Sequence, residues 1–84
     1  MKEQLIEEIR NFLKTEVINN PDAIIGDNDA IISKGLVDSL GIVRLLNYLQ
    51  KKYQIKEIDR KDVVLDNFKT IDRIAMMVSG YLKN

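Results

Sequence analysis

Three stretches of this 84-residue chain place apolar residues at helical spacing, and no stretch alternates apolar and polar residues as a half-buried strand would. Leu5, Ile6, Ile9, Phe12, Leu13 and Val17 form the first stripe and predict a helix over 3–18, with Glu3, Glu7, Glu8, Arg10, Asn11 and Lys14 on its other face. Asn19-Asn20-Pro21-Asp22 ends it. Ile42, Leu45, Leu46, Leu49 and Tyr53 form the second stripe, on a helix that starts at Asp38 or Ser39 and ends at Tyr53. Ile71, Ile74, Ala75, Val78, Tyr81 and Leu82 form the third, after Thr70 as N-cap and with Asp72 in the first turn. Such a pattern confines the chain to an all-α fold.

Two connections complete the reading. Residues 19–37 are a long loop in which Ile24, Ile25, Ile31, Ile32 and Leu36 alternate with turn formers, so the loop is expected to be pinned to the core. Asp59, with Asp62 three residues on, resembles a capping box and predicts a short helix over 60–65 that sends Val63, Val64 or Leu65 inward. Phe68 is the aromatic anchor of the short loop that follows. The expected architecture is a single domain, 1–84, folded as a small four-helix bundle: three longer helices, one short helix and a long first loop.

Composition narrows the function. The chain has no histidine and no cysteine, and its 13 Lys and Arg balance 13 Asp and Glu. No disulfide framework or thiolate metal site can form, which is compatible with a reducing cytoplasm. The charges are interspersed and leave no basic stripe for nucleic acid. The N-terminus carries early acids and no long apolar run, so neither a signal peptide nor a membrane span is expected.

Gly35-Leu36-Val37-Asp38-Ser39-Leu40 sets a serine where loop gives way to amphipathic helix. The positive end of a helix suits a phosphate ester. Without histidine or cysteine the serine lacks the usual means of activation, so a hydroxyl modified by another enzyme fits better than a nucleophile. Simple helix capping by Ser39 or Asp38 is the plainer alternative. Lys34 lies across a loop end with no defined geometry toward Ser39, and Asp27-Asn28-Asp29 reads as a solvated turn because Ile31 and Ile32 interrupt any calcium-loop pattern. Met76 and Met77 read as core edge or surface, and Tyr48 as a side chain snorkelling near the exposed side.

The chain resembles the acyl carrier proteins. The likeness rests on Gly35-Leu36-Val37-Asp38-Ser39-Leu40, on Val43 and Leu45-Leu46, on the helix order with its long first loop, and on Asp66-Asn67-Phe68-Lys69-Thr70-Ile71. It implies that Ser39 receives a 4'-phosphopantetheine arm from coenzyme A through a phosphopantetheinyl transferase, with Asp38 read by that transferase. It implies a stand-alone, monomeric cytoplasmic carrier that is not itself an enzyme. Such a carrier holds acyl or aminoacyl groups as thioesters, is loaded by an activating ligase and serves downstream transferases. Leu40, Val43, Arg44, Asn47 and Lys51 would meet those partners. Carriers of fatty acid synthesis have an acid-rich second helix, whereas this one has Arg44, Lys51 and Lys52 and no acid after Asp38. The stretch Asp38-Ser39-Leu40-Gly41-Ile42-Val43-Arg44-Leu45-Leu46 is more similar to carriers of specialised pathways, D-alanyl carriers among them. The readings from other classes are a helical protein-interaction module without a prosthetic group and a small hydrolase using Ser39.

Overall fold

In the computed structural model, which describes residues 2–82, no strand occurs among the described residues and three α-helices build the core. Helix α1, Lys2–Phe12, has Glu3 in its first turn and Arg10 in its last, the arrangement that complements the helix dipole. It continues as a wide π turn, Leu13–Val17, in which the Ile18 N–H donates to the Leu13 carbonyl at 2.7 Å. Asn19, at φ 60°, closes this end in the left-handed conformation that asparagine tolerates. The single regular helix expected over 3–18 is therefore α-helical for its first part and π for its last.

Helix α2 is Ser39–Lys52 and α3 is Ile71–Tyr81. Thr70 caps α3 as expected, its hydroxyl accepting from the Arg73 N–H at 3.0 Å. Leu5, Ile9, Leu13, Leu45, Leu49, Ile71, Ile74, Ala75 and Val78 meet in one apolar core. Helix α1 packs on α3, while α2 approaches α1 chiefly through the π turn. Leu46, expected in the core stripe, is half-buried at its edge.

The long loop is held from both sides. Ile25, Ile31 and Val37 are buried and Ile32 and Leu36 pack on the core, but Ile24 is 94 % exposed and anchors nothing. Arg10 Nε donates to the Ile25 carbonyl at 2.9 Å, and the same guanidinium pairs with Glu7 and Asp27. The Asp27 carbonyl takes the Asp72 N–H at 3.0 Å, satisfying a first-turn donor of α3 that has no partner within its helix.

Between α2 and α3 the expected helix over 60–65 is replaced by two 3-10 turns, Arg60–Asp62 and Leu65–Phe68. Val63, Val64 and Leu65 are exposed, against the expectation that one of them is buried. Asp59 does cap, accepting from the Lys61 N–H at 3.0 Å, but the Asp62 carboxylate turns away to accept from the Tyr81 phenol of α3. The capping box stays open, and Val64 takes an extended conformation that breaks the helix. Ile58 and Phe68 supply the buried side chains here.

Candidate functional site at the start of the second helix

Ser39 is the first residue of α2, and the chain leading to it is fixed. Gly35, at φ 75°, turns the backbone in a conformation that favours glycine. The Leu36 and Val37 N–H groups then both donate to the Ile31 carbonyl, at 2.9 and 3.2 Å. Val37 on one side and Gly41 and Ile42 on the other are buried. The exposed triplet Asp38-Ser39-Leu40 therefore stands between two buried anchors.

Asp38 is the cap. Its backbone is extended, Oδ1 accepts from the Gly41 N–H at 2.8 Å, and its carbonyl accepts from the Ile42 N–H at 3.0 Å. Capping thus falls to the aspartate, and the Ser39 hydroxyl is not required for it. The first-turn N–H groups of Ser39 and Leu40 have no acceptor inside the helix and leave this end positive.

The remaining residues singled out from the sequence lie along the outer face of α2. Leu40 is 66 % and Val43 51 % exposed, and Arg44, Asn47 and Lys51 are exposed beside them. Neither Arg44 nor Lys51 makes an ion pair among the described residues, whereas Lys52 reaches Glu8 at 3.3 Å. This face presents an apolar pair near Ser39 and two free cations further along the helix.

Among the described residues nothing hydrogen-bonds the Ser39 hydroxyl. Lys34 sits 3.5 Å from Asp29, the Asp38 carboxylate is committed to Gly41, and the chain has no histidine. A surface cavity of about 580 Å³ is lined by Asp59, Asp62, Arg73, Tyr81 and neighbours, and by no residue of α2. Asp27-Asn28-Asp29 is a closed turn, not a metal loop: Asp27 holds Arg10, and Asp29 Oδ2 accepts from the Gly26 N–H at 2.7 Å. That bond, aided by Lys34, holds the Asp29 carboxyl below its ordinary range. No group of three metal-ligating side chains occurs among the described residues.

Sequence reasoning missed two arrangements. Tyr48 does not simply snorkel: its ring stacks on Phe12 with centroids 4.4 Å apart, and its phenol donates to Glu8 Oε2 at 2.7 Å. Gly41 was legible only as a glycine inside a helix, and its packing against Val17 depends on the π turn, which leaves no sequence signal.

No protein-family model matches the chain, and no curated protein or solved structure matches it either. Fold and site together define a small all-helical protein that presents an exposed, unactivated serine at the head of a capped helix. No helix among the described residues is long and apolar enough to cross a membrane.

Proposed function

We propose that this chain is a stand-alone carrier protein of the acyl-carrier type, with a 4'-phosphopantetheine arm attached at Ser39. The observation that carries the reading is the exposed Ser39 hydroxyl at the first position of α2, with capping assigned to Asp38. The residues present fit the group. The unpartnered N–H groups of the first turn favour the added phosphodiester charge, and the Asp38 carboxylate is drawn onto Gly41. When attached, the arm supplies a thiol that this cysteine-free chain lacks, and on it an acyl or aminoacyl group travels as a thioester. The domain supplies a rigid address, and the tether raises the local concentration of cargo at each partner's active site.

In this reading the chain is a cytoplasmic monomer without enzymatic activity of its own. It is modified by a phosphopantetheinyl transferase, loaded by an activating ligase and unloaded by downstream transferases. The three α-helices and the long first loop support the reading, whereas the short helix a carrier bundle would have is here only two 3-10 turns, Arg60–Asp62 and Leu65–Phe68. Arg44 and Lys51 favour a specialised pathway over the main fatty acid route, because a basic docking patch on a partner would repel them.

A helical interaction module without a prosthetic group is the second reading, supported by the exposed Leu40 and Val43. Incubation with coenzyme A and a broad-specificity transferase separates the two. We expect one phosphopantetheine per chain by intact mass, and none on the Ser39→Ala variant. Unmodified wild type, or a modified alanine variant, would overturn the carrier reading.

A further inference from the structure

Gly41 is buried two residues beyond Ser39, in the first turn of α2. Its φ is not in the left-handed region, so backbone conformation does not demand a glycine, and alanine would serve a helix better. Space does demand it. A Cβ at this position would lie 2.8 Å from Val17 Cγ1 and 3.1 Å from Val37 Cγ1, inside normal contact distance. Val17 is the last residue of the π turn and is stiff at χ1, and Val37 is buried. The same glycine supplies the N–H that holds Asp38 Oδ1.

We infer that Gly41 is a positioning residue for Ser39. The bare backbone lets Val17 and Val37 close on the first turn of α2 from two sides. That closure fixes the turn bearing Ser39 and keeps the Asp38 cap seated. The π turn is what brings Val17 to this place, so the end of α1 sets the geometry at the head of α2. The inference rests on the reading of Ser39 as the attachment residue.

The test compares wild type, Gly41→Ala, Val17→Ala and the double variant. Two readouts are taken: transferase kinetics with coenzyme A, and amide exchange at residue 41 without transferase. Gly41→Ala is expected to lower transferase kcat by about 10-fold with a smaller change in KM, because Leu40, Val43, Arg44, Asn47 and Lys51 are untouched while the hydroxyl is misplaced. The amide at residue 41 is expected to exchange about 10-fold faster as the cap loosens. Val17→Ala alone removes one wall of that closure and should move both readouts in the same direction as Gly41→Ala but by only about 3-fold, and the double variant should return to the Val17→Ala level, since the clashing methyl is gone.

Gly41→Ala behaving as wild type, or a double variant no better than Gly41→Ala, would overturn the inference. If Gly41→Ala fails to fold and the double variant folds, the clash is supported. If the double variant fails while Val17→Ala folds, the pairwise account is overturned. A wild type that is never modified removes the attachment reading, and amide exchange then decides the Gly41–Val17 packing by itself.

Discussion

Tyr48 shows how a residue can look peripheral in sequence and still tie two helices together. Its ring stacks on Phe12 of α1, and its hydroxyl binds Glu8, which also meets Lys52. The Tyr48 hydrogen bond, with help from Lys52, lowers the Glu8 pKa below its ordinary value. The Glu8 carboxylate in turn pushes the Tyr48 phenol up to about 12. The signs are opposite. A depressed Glu8 contributes stability above its unfolded pKa, lost as pH falls through its folded one. A raised Tyr48 contributes stability below pH 10, lost as pH rises toward 12. Tyr48→Phe keeps the stack and removes the bond, and should cost about 1 kcal/mol at neutral pH in urea unfolding. The gap from wild type should vanish as acid protonates Glu8. A gap that persists unchanged below the carboxylate range would mean that packing, not the hydrogen bond, carries the effect. At this scale the Thr70 cap and the exposed Ser39 were readable, because each depends on neighbours in the chain, while only the Asp38–Gly41 hydrogen bond decides between Ser39 and Asp38 as the cap of α2. Tyr48 was not, because its partner lies 40 residues away.

The elements divide in the same way. The three apolar stripes marked all three α-helices, since a long stripe at helical period has few other ways to be buried. The π turn was invisible, because one extra residue in a turn leaves the apolar pattern almost unchanged. The segment 60–68 failed for a different reason. Its Asp59 and Asp62 had the spacing of a capping box, but Tyr81 of α3 claims Asp62, a tertiary contact overriding a local one. This division has a measurable consequence. Leu49, fully buried on α2, should cost about 2–5 kcal/mol when truncated to alanine. Leu65, 63 % exposed in the second 3-10 turn, should cost no more than about 0.5 kcal/mol. Equal losses in chemical denaturation would show that the 60–68 segment is packed differently from this account.

Seen whole, the chain has a radius of gyration of 11.8 Å, and a compact chain of its length is expected at about 12 Å. The molecule thus carries Ser39 on a compact body, and in the proposed reading partners meet it through the face of α2. The fold class and the position of this face were legible because α2 is amphipathic: burying Leu45 and Leu49 commits Leu40, Val43, Arg44, Asn47 and Lys51 to solvent. In the proposed reading a cargo would ride on the arm and need leave no mark on this surface, so the sequence does not name it. The free cations predict an acidic partner patch. Arg44→Glu and Lys51→Glu should slow association with the cognate ligase about 10-fold at low ionic strength. The difference should shrink as salt rises. Rates indifferent to both charge and salt would remove the electrostatic argument for a specialised pathway. The carrier assignment itself stands or falls at one oxygen atom. Fragmentation mass spectrometry of the intact protein, after reaction with coenzyme A and transferase, locates the modification within the chain. The account predicts a single phosphopantetheine that localises to Ser39. A chain that stays unmodified, or an arm found on any other residue, would contradict it.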